Sequence, residues 1–157
     1  MTFDAGQVCN NVLMRAFRDD FSVSPMKLQK ILYFVASEYA KDTGEPLLSE
    51  PFQPWQYGPV VQSVYSEFKP FGGGPIRRYA KDSQGKAYIV AEDQNVKLRK
   101  VLDRVWPAVK SRSAVDLSRI THLPGSAWRK AFDNSDRYIR DADIESDTSY
   151  RSRLGLD

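Results

Sequence analysis

The chain has 157 residues, 41% of them apolar and 27% charged, and a formal net charge of +3. A chain of that length fits one domain around one core, and that composition excludes wholesale disorder. The longest apolar-rich run, Ile31 to Ala36, is far too short to cross a bilayer, and no charged stretch leading into an apolar one opens the chain, so membrane insertion and export are not expected and the cytoplasm suits it.

Cys9 is the sole cysteine and His122 the sole histidine. Together they supply neither an internal disulfide nor a Cys/His zinc cage, so no metal and no cofactor are expected. Charge is unevenly spread. Lys97, Arg99, Lys100, Arg104, Lys110 and Arg112 make a basic middle, and acids outnumber arginines from Asp133 to the C-terminus.

In chain order, the spacing of apolar residues from Phe3 to Phe17 predicts a helix with Asp4 at its N-terminus. Ser24-Pro25 is a start signal, a serine cap followed by proline at the first helical position. Leu28, Ile31, Leu32, Val35 and Tyr39 then hold helical spacing, widened by Tyr33, Phe34 and Ala36, which predicts the central helix. Asp42-Thr43-Gly44 and Pro46 end it near Lys41. Prolines at 46, 51 and 54 allow only extended backbone through Gln53, and that backbone must be held by side chains. Gly58-Pro59 breaks the chain, and Val60, Val61, Val64, Tyr65 and Phe68 predict a helix with Pro59 near its first position.

Gly72-Gly73-Gly74-Pro75 reads as a loop, because it lacks the lysine and hydroxyl of a phosphate-binding loop. The runs Ile76–Tyr79 and Ala87–Val90 flank a turn-like segment with Gly85 and predict a small hairpin. Glu92 to Lys110 predicts a surface helix with a stripe of Leu98, Val101, Leu102, Val105 and Val109, kinked by Pro107. Ser113 with Asp116 resembles a capping box. Ser126 caps a last short helix that places Trp128 and Phe132 on one face. Past Asn134 only Ile144, Tyr150 and Leu154 suggest a further amphipathic piece.

No enzyme signature emerges. The surroundings of His122, THLPGSAW, contain no nucleophile elbow and no second metal-ligand histidine, which favours a histidine that satisfies a helix end. Acidic pairs such as Asp19-Asp20 and Glu92-Asp93 suit helix termini. On extended backbone Trp55 and Tyr57 share one side, either as core pegs or as interface anchors; the close turn at Gly58-Pro59 favours the core.

The stretches KLQKILYFV (27–35) and EPFQPWQYGPVVQSVYSEF (50–68), with Leu117, Thr121-His122, Gly125-Ser126 and Trp128 near the end, resemble the signature of the Panacea, or SocA-like, antitoxin domain. These ordered blocks lie within residues 5 to 132. The resemblance implies a mainly α, compact single-domain helical fold with a small β-hairpin or short strands. It implies a core over about 4–132 and a variable C-terminal extension over 133–157. It also implies the antitoxin of a bacterial or prophage toxin–antitoxin pair, with no catalytic residues, which neutralises a cognate protein toxin by direct binding or delivers it to a protease.

The structural motif residues would be Lys27, Leu28, Lys30, Tyr33, Gly58, Pro59, Tyr65, His122, Gly125 and Trp128. Candidate partner-binding residues are Trp55, Tyr57, Arg77, Arg78, Lys97 and Arg104. The expected partner is the toxin, in a hetero-complex or alongside a homo-oligomer, with the toxin-specific surface near 72–90 or past Asn134. A nucleic-acid-binding regulator using the basic helix is the alternative; against it, no tight glycine turn joins two helices at helix-turn-helix spacing.

Overall fold

The computed structural model describes residues 1–157 and is mainly α, with eight helices and one two-stranded antiparallel sheet. The helices are α1 (Ala5–Asp19), α2 (Pro25–Thr43), α3 (Gln62–Phe68), α4 (Val96–Val109), α5 (Ala114–Thr121), α6 (Ala127–Asp133), α7 (Asp141–Ser146) and α8 (Arg151–Leu154). Strands β1 (Gln53–Trp55) and β2 (Gly58–Val60) lie between α2 and α3, and a 3-10 turn, Lys69–Phe71, follows α3.

Helix α2 is central, packed by α1, α3, α4, α5, α7 and β2. Its sequence explains both ends. Ser24 Oγ accepts from the Lys27 amide, Pro25 occupies the first turn, and Gly44 closes the helix in the left-handed region at φ 74°, a conformation that glycine adopts without steric cost. Leu28, Ile31, Leu32, Tyr33, Phe34 and Val35 are all buried in one hydrophobic cluster with α1, α4 and α5. Asp4, Ser113 and Ser126 accept from backbone amides as N-caps of α1, α5 and α6. Asp116 does not complete a capping box; its carboxylate pairs with Arg112 instead. Helix α4 runs on through Pro107.

Three expectations need correction. The hairpin is not at 76–90 but at 53–60, with Gln53 opposite Val60, Pro54 opposite Pro59, and Trp55 opposite Gly58. Antiparallel pairs alternate between hydrogen-bonded and non-bonded positions. A two-residue turn at Gln56-Tyr57 makes Trp55–Gly58 the bonded pair, so both prolines fall where no N–H is needed. Pro59 therefore sits mid-strand, and α3 begins only at Gln62.

The backbone from Ile76 to Val90 bonds to itself only at the Asp82–Lys86 turn and forms no strands, because α1 takes backbone groups of Ala80, Tyr88 and Val90. Asn10 accepts from the Ala80 amide and donates to the Ala80 and Tyr88 carbonyls, while Asn11 does the same with both backbone groups of Val90. Likewise α4 starts at Val96 and not Glu92, because the Glu92 carboxylate is drawn inward by Arg15 at 2.6 and 2.8 Å and by Asn11 at 2.7 Å.

The segment past Asn134 packs against α2. Ile139, Ile144, Tyr150 and Leu154 join the hydrophobic cluster, and Ile139 N donates to the Phe52 carbonyl. No helix is long and apolar enough to cross a membrane.

Candidate partner-binding site

The hairpin is too short to be stable alone, so side chains from three helices clamp its backbone. From α2, Gln29 Nε2 donates to the Val61 carbonyl at 3.1 Å, and Gln29 Oε1 accepts from the Val61 amide at 2.9 Å. From α5, Ser118 Oγ donates to the Tyr57 carbonyl at 2.7 Å. From α6, Trp128 Nε1 donates to the Trp55 carbonyl at 2.7 Å. The stem of Lys30 runs beneath Gly58, where an added Cβ would meet Lys30 Cε at 2.6 Å and φ is +129°. Only glycine fits there.

This clamp holds aromatic rings at the surface. Tyr57 is 61% exposed at the turn, on a tightly held backbone and not on extended chain, so neither it nor half-buried Trp55 is a core peg. Trp55 packs edge-on against partly exposed Tyr65 at 4.8 Å, with its own Nε1 donating to Gln53. Buried Trp128 lies between His122, stacked at 3.8 Å, and exposed Phe132, stacked at 4.6 Å. Val115, exposed on α5 one turn from Ser118, extends the apolar surface.

Beneath the hairpin lie Lys30 and His122. Lys30 is 1% exposed, and burial lowers its pKa to about 8. Its Nζ and Thr121 Oγ1 lie 3.0 and 3.1 Å from the point that a Cβ on Gly58 would occupy. His122 Nε2 is buried with no hydrogen-bond partner. Burial and then the nearby Lys30 and Arg129 charges lower the His122 pKa, which the Tyr57 carbonyl only partly offsets. The imidazole is therefore neutral at pH 7.

The remaining sequence candidates are scattered. Leu28 lies in the core, and Lys27 Nζ donates to the Lys110 carbonyl. Tyr33 donates to Asp147 and packs edge-on against Phe52, just before β1. Gly125 turns the chain before α6 at φ +80° with open space around it. Arg78 is bound internally to Glu67, and Arg104 to Glu38 and Asp42. Arg77 and Lys97 are exposed, on elements away from the hairpin. Gln29 stands in the KLQKILYFV block but is not singled out as a site residue by the sequence, and Ser118 is missed, with no local signal to find it.

A separate concavity of about 350 Å³ lies between α1, α3 and the loop at 80–88, lined by acids and bases together. No cluster of three or more His, Cys, Asp or Glu side chains is arranged to hold a metal ion. Cys9 is buried, and burial pushes its thiol pKa far up, which leaves it inert.

Residues 28–129, which contain every clamp residue, match the family model described as Antitoxin SocA-like, Panacea domain. The chain belongs to that family. It is also 33% identical over 128 residues to Antitoxin SocA of Caulobacter vibrioides, which covers 80% of this chain and 68% of that protein. No solved structure matches. The family match thus ends within α6, so α7 and α8, which bury Tyr150 against α2, lie beyond it.

Proposed function

We propose that this chain is the antitoxin of a toxin–antitoxin pair and that it neutralises a protein toxin by binding it with the hairpin face. Membership of the SocA-like family supports the role. The observation that carries the surface is Tyr57, a largely exposed aromatic ring on a backbone fixed from three helices. Interface energy concentrates in a few aromatic or arginine anchors, and an anchor held in place before contact loses little entropy on binding. Trp55, Tyr65, Phe132 and Val115 would flank it within an interface of about 1,200–2,000 Å² in total.

The chain would act by covering the toxin's working surface and not by turnover. The basic helix is a weaker nucleic-acid candidate, because Arg104, Lys110 and Arg112 are spent on Glu38, Asp42, Asp19 and Asp116.

The test is co-expression with the protein encoded beside this chain. Growth rescue, co-purification and an unchanged toxin level support occlusion. Rescue with falling toxin level points to protease delivery, and failure to rescue or bind contradicts the reading.

A further inference from the structure

Not all of the acids past Asn134 are spent inside the fold. A groove of about 240 Å³ runs between the second half of α2, the segment 44–52 and α7. Its apolar floor includes Ala40, Leu47, Leu48, Phe52 and Ile144. Glu45, Glu50, Asp141 and Glu145 also line it, and no lysine or arginine does. Elsewhere Glu38 and Glu92 sit against guanidinium groups. Of the four acids here only Glu45 has an ion pair, a 3.4 Å contact with the N-terminal ammonium in which both groups are mostly exposed. Glu50 accepts from the Ser63 hydroxyl.

Helix ends account for one of the four. Asp141 lies in the first turn of α7, where negative charge is favoured. Glu145 lies in the last turn of that helix, and its Oε1 is 3.9 Å from the point that a Cβ on Gly44 would occupy. It therefore also reaches the C-terminal end of the 19-residue α2, which Glu45 adjoins. A helix C-terminus carries partial negative charge and disfavours carboxylates. Lys41, in the last turn of α2, is committed to Ser37 Oγ at 2.9 Å and to the Asp147 carbonyl. Negative potential is thus concentrated over an apolar floor.

We propose that this groove receives a lysine or arginine side chain of the protein toxin. That the partner is the toxin rests on the antitoxin reading; the groove itself does not. Such a side chain is an aliphatic stem with a cation at its end, so it matches the floor with its stem and the carboxylates with its head. A small cation would leave the floor uncovered, and a nucleic acid would be repelled. One wall, α7, lies beyond the family match at 28–129, which suits a contact particular to this chain's own partner. Phe52 leads directly into β1, so groove and hairpin are joined along one segment.

The experiment follows the isotope-labelled full chain by NMR, with the backbone amides of Gly44, Leu47 and Ala142 reporting the groove. It is titrated with N-acetyl-lysine methylamide and with the norleucine counterpart, which keeps the stem and lacks the charge. Ammonium chloride at equal ionic strength keeps the charge and lacks the stem. The lysine compound alone should give saturable shifts in the millimolar range, weakened about tenfold or more in the double variant Glu45→Gln/Glu145→Gln, as expected when charged contacts are lost. Both residues are exposed, so the variant should keep its fold, and the comparison of the three compounds on wild type decides even without it. No shift, an equal response to norleucine or ammonium, or an unchanged response in the variant would overturn the proposal.

The double variant should also bind the neighbouring toxin about tenfold more weakly, and wild-type affinity would overturn the assignment of the groove to the toxin. A wild-type chain that neither binds that toxin nor protects against it removes the antitoxin reading, while the titration still decides the groove.

Discussion

Two polar regions flank helix α2, and they are built in opposite ways. On the side facing the C-terminal segment, Glu38 is 1% exposed but accepts from Tyr150 Oη, from Arg151 at 3.0 and 3.3 Å, and from Arg104 at 3.2 Å. Nearby, Asp147 accepts from Tyr33, from the Ala127 amide and from Ser149. On the hairpin side, Lys30 and His122 Nε2 are as deeply placed and have no such partners. A satisfied buried network ties distant parts of the chain into one unique packing. The first region holds the fold together, and the second supports the hairpin that we propose faces a partner.

The largest expected effect concerns what both regions share. Leu32 is fully buried on α2, so Leu32→Ala should cost about 2–5 kcal/mol in denaturant unfolding through lost burial and a residual cavity. A loss below about 1 kcal/mol would show that α2 is not the centre of the core.

Next, Glu38→Ala should cost about 3 kcal/mol, the low end for breaking a buried pair, because Arg104 and Arg151 keep some solvent contact. Burial alone would raise the Glu38 pKa, but the Tyr150 hydroxyl and the Arg151 guanidinium outweigh it and leave the pKa lowered. A carboxylate with a lowered folded-state pKa contributes stability above its unfolded pKa and loses it as pH falls through the folded one. Acid unfolding should therefore begin at higher pH in wild type than the stability difference from Glu38→Ala alone implies, and the two proteins should converge at low pH. Parallel pH profiles would remove Glu38 from the network's energetics.

Lys30→Met should do the reverse and stabilise the fold by about 1–2 kcal/mol at pH 7, since an uncompensated buried charge is exchanged for an apolar stem. The folded-state Lys30 pKa near 8 lies below its ordinary 10.5. Between those values the unfolded chain binds the extra proton, so the Lys30 contribution to wild-type stability should rise with pH and the gap to Lys30→Met should close. Burial raises the Cys9, Tyr33 and Tyr150 pKa values, so these groups keep their protons in the fold while the unfolded chain begins to lose them, but they are common to both proteins and cancel in the difference. A destabilised Lys30→Met would mean that Lys30 already has a partner inside the fold.

The two regions were not equally legible in the sequence. Local chemistry fixed what it governs: Ser24-Pro25 and Gly44 bound α2, and Ser126 sets Trp128 and Phe132 on one face of α6. The hairpin was misplaced because Pro54 and Pro59 look hostile to a sheet until they are seen opposite each other at non-bonded positions, and because Asn10 and Asn11 consume the backbone of the more strand-like segment. The asparagine contacts join residues 70 to 79 positions apart in the chain. The Glu38–Tyr150 bond spans 112 positions, so the C-terminal strap left no local trace beyond Ile144, Tyr150 and Leu154. The motif residues Lys30, Gly58, Thr121, His122 and Trp128 were visible, but their convergence under one hairpin was not.

The smallest expected effect on stability belongs to the most telling variant. Tyr57 is 61% exposed and its side chain lies outside the core cluster, so Tyr57→Ala should change unfolding free energy by no more than about 0.5 kcal/mol. The decisive measurement is growth of cells that express the neighbouring toxin together with Tyr57→Ala, with the folded level of the variant checked by circular dichroism and immunoblot. A well-folded protein that no longer protects is the predicted result. Full protection by that variant would contradict a hairpin-centred toxin surface.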